Sequence, residues 1–195
     1  MVLTDAAATV AEIVAACRSM EGLPYDGEPV DQLQHALQCA WLARQESADE
    51  GFVTACLLHD IARAPAVAGI AYDGPREHHG EAAARWLEPR VGARVAWLAE
   101  QHVAAKRYLV ATDPQYLGQL SEVSARTLQG QGGAMSEDEI ERFCRNPDWQ
   151  QAVSLRRIDD LGKTEGFEVP GLEAYRDTLL SVIEAAAALD PRGDP

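Results

Sequence analysis

Four histidines and two aspartates of this chain have the residue types and the order of a metal centre. These six residues are His35, His59, Asp60, His79, His102 and Asp159. A structural zinc ion needs only four protein ligands, and magnesium prefers oxygen donors to imidazole. Six nitrogen and oxygen donors therefore indicate a centre with two metal ions, and the mixture of imidazole and carboxylate favours iron or manganese.

Two of these six positions have a competing neighbour. His78 precedes His79, and His79 shares a predicted helix face with the small residue Ala83. Asp160 follows Asp159, whose spacing places it on the same helix face as the basic residues before and after it. The spacing favours His79 and Asp159, and both alternatives stay open at this point.

The adjacent pair His59-Asp60 is the most informative part of the pattern. Leu57 and Leu58 precede it in an apolar segment, so the pair is expected to be buried. Burying an aspartate without a partner is costly, and a metal ion removes that cost. Because adjacent helical residues point about 100° apart, Asp60 can reach between two ions while His59 holds one.

Basic residues recur at helical spacing from the expected ligands. Arg63 lies three residues after Asp60, Lys106 four after His102, and Arg156 three before Asp159. In an acidic protein, three cations directed at one centre indicate a site for a small oxyanion, which arginine binds with a planar fork.

The elements that carry these residues are predicted to be helical throughout. Apolar residues recur with helical spacing, and no alternating strand pattern is present. The predicted helices cover about 10–17, 30–41, 52–61, 79–88, 90–107, 114–129, 136–145, 146–163 and 171–189, with loops at 21–29 and 62–78. Thr9 with Glu12, and Ser136 with Glu139, have the spacing of capping boxes. The helix at 52–61 is so apolar that we expect it to be central.

Composition limits the classes of protein to consider. The 195 residues predict one domain, 1–195, with its core at about 8–185 and a frayed tail at 190–195. A formal charge of −14 argues against a nucleic-acid partner. Four single cysteines predict reduced thiols in a cytoplasmic protein. Neither a leader segment nor an apolar run of about 18 residues is found, so no membrane association is expected.

Several motifs resemble those of one family. The segment LLHDIA, with His35 before it and Asp159 after it, is similar to the signature of the HD-domain superfamily. The segments QLQHALQCA and LSEVSARTLQGQGGAMSEDEIERF, and the loop with Tyr25 and Glu28, resemble the mixed-valent diiron oxygenases of the PhnZ and TmpB types. Those enzymes cleave the C–P bond of 1-hydroxyphosphonates.

The resemblance implies an all-α, compact HD-domain helical bundle that binds two iron ions, Fe(II) and Fe(III), and uses O2 as co-substrate. The implied substrate is an (R)-1-hydroxy-2-ammonioethylphosphonate, with a primary or N-methylated amine. The implied products are phosphate and glycine or glycine betaine. A 2-oxoglutarate-dependent hydroxylase is the implied upstream neighbour in organophosphonate catabolism. The alternative is a phosphohydrolase, in which the same ligands would activate a hydroxide against a phosphoester.

The resemblance also implies roles for individual residues. One iron would be held by His35, His59, Asp60 and Asp159, and the other by His79, His102 and the bridging Asp60. Tyr25 would occupy an open iron position before the substrate binds, and Glu28 would bind the substrate's ammonium group. The remaining implied substrate-binding residues are Gln34, Arg63, Lys106, Ser124, Thr127 and Arg156. Arg63 departs from the family, which often has histidine there, and this favours a bulkier or N-methylated amine.

Overall fold

The computed structural model describes residues 6–25, 27–46, 49–68 and 79–189. These residues form α-helices joined by short loops, with no strand among them, which confirms the predicted all-α class. The helices are α1 (Ala6–Arg18), α2 (Gln32–Glu46), α3 (Glu50–Leu58), α4 (Pro65–Ala68), α5 (His79–Val91), α6 (Ala93–Glu100), α7 (His102–Thr112), α8 (Glu122–Gly130), α9 (Glu137–Cys144), α10 (Trp149–Leu161) and α11 (Arg176–Leu189).

Helix α3 lies at the centre of the bundle, as its composition predicted. Every residue from Phe52 to Leu58 is buried, and α2, α6, α10 and α11 pack around the helix. Asp49 begins α3, because its carboxylate accepts hydrogen bonds from the backbone N–H groups of Gly51 and Phe52. The helix ends at Leu58, so His59 and Asp60 lie in the turn that follows it.

Two predicted helices are broken in the structure. The segment 90–107 is divided twice: residues 90 and 91 end α5, Gly92 with a positive φ of 84° precedes α6, and Gln101 forms the junction between α6 and α7. The segment 114–129 is a 3₁₀ turn at Tyr116–Gln119 followed by α8.

Of the two predicted capping boxes, the structure contains one. The capping box of Ser136 and Glu139 is confirmed at the start of α9. That of Thr9 and Glu12 is wrong, because α1 already includes Ala6 and Thr9 is buried within it. In the predicted loop 62–78, the short helix α4 occupies Pro65–Ala68, and residues 69–78 lie outside the described part of the chain, as does the tail 190–195.

The cysteines are free, as predicted. Three are buried and the fourth is partly exposed: Cys17, Cys39, Cys56 and Cys144. Within the described residues, no helix is both long enough and apolar enough to cross a bilayer.

Candidate active site

His35 of α2 and His59 after α3 face each other through one ring nitrogen each. His35 Nδ1 donates a hydrogen bond of 2.8 Å to the carbonyl of Gly162, and His59 Nδ1 donates one of 2.9 Å to the carbonyl of Cys56. A carbonyl can only accept, so in the neutral rings both Nε2 atoms carry a lone pair. These two atoms are 3.2 Å apart. Two lone pairs at that distance repel each other unless a cation binds between them.

Asp159 of α10 adds a carboxylate to this pair. Its Oδ1 lies 3.4 Å from His35 Nε2 and 4.0 Å from His59 Nε2. Tyr25 covers the cluster from one side, because its ring stacks on His35 at 4.2 Å between centroids and its hydroxyl donates to Asp159 Oδ1 at 3.4 Å. Burial, together with the charges of Asp159 and Asp60, raises the pKa of Tyr25 well above its ordinary value. In the described structure Tyr25 is therefore a protonated phenol.

A second cluster contains Asp60, His79 and His102. His79 Nε2 is 2.7 Å from His102 Nε2 and 3.0 Å from Asp60 Oδ1. His102 Nδ1 donates to the carbonyl of Ala99 at 2.6 Å, which again directs Nε2 inward. The other carboxylate oxygen of Asp60, Oδ2, is 3.7 Å from His59 Nε2, so Asp60 lies between the two clusters.

Gly80 allows α5 to bring His79 to His102. A Cβ atom at Gly80 would be 2.8 Å from the carbonyl oxygen of Glu100, the last residue of α6. Only a residue without a side chain lets the two segments approach this closely. The junction at Gln101 then starts α7 with His102 directed at the same point.

The donor set fits two metal ions. Burial lowers the pKa of His59 and, together with His79, that of His102, so both rings are neutral and able to bind a metal. Burial alone would raise the pKa of Asp60, but Arg63, His59 and His79 outweigh it and hold the carboxyl well below its usual range. Nitrogen atoms about 3 Å apart also match neighbouring ligands around an ion bound at roughly 2.1 Å.

Cys39 is a potential donor that the sequence did not single out. Its sulfur lies 3.8 Å from His35 Nδ1 and 3.7 Å from His35 Nε2, one helical turn along α2. Burial, with the charge of Asp159, raises the pKa of this thiol well above its ordinary value. Cys39 is thus a neutral thiol packed below the first cluster.

A pocket next to the second cluster has the character of an anion site. Lys106 donates to the carbonyl of Ser124 at 3.3 Å and to Thr127 Oγ1 at 3.1 Å. The ammonium group is buried, and burial with nearby Arg156 lowers the pKa of Lys106 to about 7. The structure therefore brings Lys106, Ser124 and Thr127 together, as the sequence and the resemblance predicted.

Arg156 connects this pocket to the first cluster. It donates to Asp159 Oδ2 at 2.5 Å and to Tyr116 Oη at 2.9 Å, and it also pairs with Asp160. Its second terminal nitrogen lies 3.5 Å from Ser124 Oγ. Asp160, in turn, accepts from Tyr116 at 2.5 Å. Of the two competing aspartates, Asp159 is the one turned toward the histidines.

Glu28 and Lys163 also line this pocket. Glu28 Oε1 accepts a hydrogen bond of 2.6 Å from Ser121, the N-cap residue of α8, and lies 3.6 Å from Lys163 Nζ. Arg63 stands on another wall, with Nε 3.2 Å from Asp60 Oδ1 and its guanidinium 5.9 Å from the Tyr25 ring.

Gln34 is not part of this arrangement, contrary to its predicted role. It is exposed at the start of α2, where its backbone N–H donates to Asp31 Oδ1 at 2.7 Å and its Oε1 accepts from the Asp31 backbone at 3.1 Å. This reciprocal pair is a capping box, so Gln34 has a structural role. His78, the alternative to His79, lies outside the described residues, whereas His79 is buried in the second cluster.

Two polar residues of the pocket were not assigned to the site from the sequence. Lys163 served only to place Asp159 on the basic face of its helix, although its spacing of four residues after Asp159 matches that of Lys106 after His102. Gln131 belongs to the quoted segment LQGQGG, and its Oε1 is buried with no hydrogen-bond partner among the described residues. Lys106 and Lys163 are the only lysines of the chain, and both line this pocket.

Comparison with known proteins agrees with this geometry. Residues 33–129 match the HD domain model. The chain is 38% identical over 148 residues to the 1-hydroxy-2-(trimethylamino)ethylphosphonate dioxygenase (glycine-betaine-forming) of Leisingera caerulea, covering 75% of this chain and 76% of that protein. It is 37% identical over 172 residues to the hydroxymethylphosphonate dioxygenase of Gimesia maris, covering 84% and 83%.

The chain belongs to the HD-domain family, in the group that contains these dioxygenases. The HD-domain match includes His35, the pair His59-Asp60, His79 and His102, but ends before Asp159. Asp159 therefore enters the site from α10, outside the matched segment, through the contacts described above.

Proposed function

We propose that this protein is an oxygen-dependent diiron oxygenase that cleaves the C–P bond of a 1-hydroxy-2-ammonioethylphosphonate. The observation that carries the proposal is the inward-facing Nε2 pair of His35 and His59, 3.2 Å apart, together with the buried ammonium group of Lys106 in the pocket next to the second cluster. The first feature calls for a metal ion, and the second calls for an anion within reach of it. The family relationship to two phosphonate dioxygenases supports the same chemistry.

The overall reaction balances without a further reductant. A 1-hydroxyphosphonic acid, RCH(OH)PO3H2, and O2 give the carboxylic acid RCOOH and phosphoric acid. The C1–H and C1–P bonds break, four electrons pass from C1 to dioxygen, and the two products together gain the two oxygen atoms. When R carries an ammonium group on a methylene carbon, the acid is glycine or, if trimethylated, glycine betaine.

We assign two iron ions to the two clusters on the donor chemistry described above. His35, His59 and Asp159 would hold one ion, His79 and His102 the other, and Asp60 would contact both. The bound metal supplies the activation of dioxygen, which no side chain of the site can provide. The chain itself binds the two charged ends of the substrate and fixes the direction of C1.

The phosphonate end is assigned to Lys106, Ser124 and Thr127. Lys106 is held by the Ser124 carbonyl and by Thr127 Oγ1, both of which are neutral acceptors. A phosphonate oxygen is a stronger, charge-assisted acceptor and would replace them. Arg156 already binds two carboxylates, so it acts on the phosphonate mainly by its charge and by its position next to Ser124.

The ammonium end is assigned to Glu28, whose carboxylate faces the pocket beside Ser121. Tyr25 stacks on His35 and donates to Asp159, so it covers the first cluster in the described structure. We infer that the segment with Tyr25 and Glu28 moves outward to admit the substrate. Tyr25 would then leave the metal cluster that it covers.

We further propose that the enzyme accepts N-methylated amines, because Arg63 replaces the histidine frequent at this position of the family. We also propose that the 1-hydroxyl group of the substrate is introduced by an earlier hydroxylation of the C1–H bond. That reaction requires an oxygenase, and a 2-oxoglutarate-dependent hydroxylase fits this role.

The test is to follow O2 consumption and phosphate release together in iron-loaded protein. Candidate substrates are (R)-1-hydroxy-2-aminoethylphosphonate and its trimethylammonio analogue. We expect one phosphate for each O2 consumed and none under anaerobic conditions. Phosphate release from a phosphoester without oxygen consumption would favour the phosphohydrolase instead. The control is Arg157→Met on α10, which removes an exposed ion pair with Asp113 and a 6.0 Å guanidinium–ring contact with Tyr116, and we expect its activity to be unchanged.

A further inference from the structure

Lys163 and Glu28 form an ion pair that is almost completely enclosed. Their side chains are 10% and 13% exposed, and Lys163 Nζ lies 3.6 Å from Glu28 Oε1. The same ammonium group is 3.4 Å from Ser124 Oγ and 4.0 Å from Asp159 Oδ1. Lys163 thus stands between the carboxylate assigned to the substrate's amine and the residues assigned to its phosphonate.

The position of Glu28 is fixed from the other side. Ser121 donates to Glu28 Oε1 at 2.6 Å and also accepts from the backbone N–H of Ser124 as the N-cap of α8. The carboxylate is therefore held near the positive end of that helix. A carboxylate with so little exposure needs a cationic partner, and Lys163 provides it when no ligand is bound.

A lysine side chain ends in an alkylammonium group, which is the same chemical group as the amine of a 2-ammonioethylphosphonate. We infer that Lys163 is a built-in competitor for the substrate's ammonium group at Glu28, and hence a residue that determines specificity. This inference rests on the proposed function, because it takes Glu28 as the amine-binding residue.

Phosphonates with and without an amine should differ in whether they disturb the ion pair of Glu28 and Lys163. A phosphonate without an amine leaves the pair of Glu28 and Lys163 in place. A phosphonate with an amine must displace Lys163 from Glu28, which reduces the advantage that its positive charge would otherwise gain. Lys163 can then turn toward the phosphonate near Ser124, which recovers only part of the lost pairing.

The experiment compares two ligands that lack the 1-hydroxyl group and so are not turned over: ethylphosphonate and 2-aminoethylphosphonate. The ratio of their dissociation constants, measured by calorimetry with metal-loaded protein, gives the advantage of the amine. In Lys163→Met this advantage should rise roughly three- to tenfold, which corresponds to the loss of one competing ion pair. Lys163→Arg retains a competing cation and should stay near the parent value, as should Arg157→Met.

If Lys163 has only a structural role, its loss should weaken the binding of both ligands equally and leave the ratio of dissociation constants unchanged. An unchanged or lower ratio would overturn this inference but not the proposed function. If neither phosphonate binds the parent protein, the proposed function fails as well.

An independent readout needs no mutation of the site. Protein labelled with ¹³C at the lysine Cε has only two side-chain signals, since the chain has two lysines. The signal of Lys163 should shift more with 2-aminoethylphosphonate than with ethylphosphonate; equal shifts would contradict the competition.

Discussion

Gly162 lies against Cys39 so closely that a Cβ atom at Gly162 would be 2.5 Å from Cys39 Sγ and 3.3 Å from its backbone nitrogen. The same glycine presents the carbonyl that accepts the hydrogen bond from His35 Nδ1. The end of α10 therefore sets the orientation of a proposed metal ligand on α2.

Gly162→Ala should destabilise the protein and weaken metal binding together. Overpacking against Cys39 costs about 1–3 kcal/mol, and a displaced partner of a ligating histidine lowers metal affinity roughly ten- to a hundredfold. Thermal unfolding with and without iron checks both effects. The matched control is Gly171→Ala, where an added Cβ meets no atom within 4 Å; equal behaviour of the two variants would contradict the packing argument.

The protein should contain two iron ions per chain, and Asp159→Asn and Asp160→Asn should differ in how many they retain. Asp159 faces His35 and His59, whereas Asp160 pairs with Arg156 and Tyr116. We expect the first variant to lose about half of its iron and the second to keep it. Asp60→Asn should lose most of both ions, and full retention in that variant would exclude Asp60 as the shared ligand.

Phosphonate affinity should depend on the protonation of Lys106. Burial, and secondly Arg156, lower the pKa of Lys106 to about 7, so the ammonium is charged below that pH and is lost above it. Ethylphosphonate affinity of the parent, divided by that of Lys106→Met, should be large at about pH 6 and decline as the pH rises above 7. Taking this ratio cancels the effect of the ligand's own protonation, because that effect is the same for both proteins. A ratio independent of pH would show that Lys106 does not titrate in this range.

Glu28→Gln should reduce kcat/KM for ammonium-bearing substrates much more than for hydroxymethylphosphonate, which has no amine. Neutralising the carboxylate removes the attraction to the cation and leaves the Lys106 side of the pocket unchanged. Both substrates must be compared in the same variant, because specificity is a difference of affinities. Equal losses of kcat/KM for both substrates would indicate that Glu28 acts on closure of the Tyr25 segment and not on the amine.

Local spacing predicted the parts of the site that depend on a single helix. Arg156 and Asp159 are three residues apart on α10, and in the structure they form an ion pair. Such pairs follow from helix geometry alone. The spacing of Asp159 and Lys163 favours Asp159 over Asp160 in the same way, but it does not by itself indicate that Lys163 lines the pocket.

Features that depend on packing between helices were not predicted. The break between α5 and α6 requires Gly92 at a positive φ, with Ala186 of α11 3.1 Å from where its Cβ would be. No pattern within residues 90–107 reveals that contact.

Gln34 shows the limit of a resemblance. It lies next to His35 in a motif shared with the family, yet Asp31 and Gln34 have the spacing of a capping box, which explains its exposed position. The spacing of Asp31 and Gln34 is visible in the sequence, and it predicts the position of Gln34 better than its adjacency to His35 does.

The restriction of lysine to the pocket makes amine chemistry selective in this protein. Reagents that acylate primary amines usually modify many surface positions, but here every basic side chain other than the two lysines is an arginine or a histidine, neither of which is a primary amine. Apart from the terminal amine, each acylation would fall on Lys106 or Lys163. We therefore expect a small acylating reagent that enters the pocket to inactivate the protein, and a bound phosphonate to protect against it.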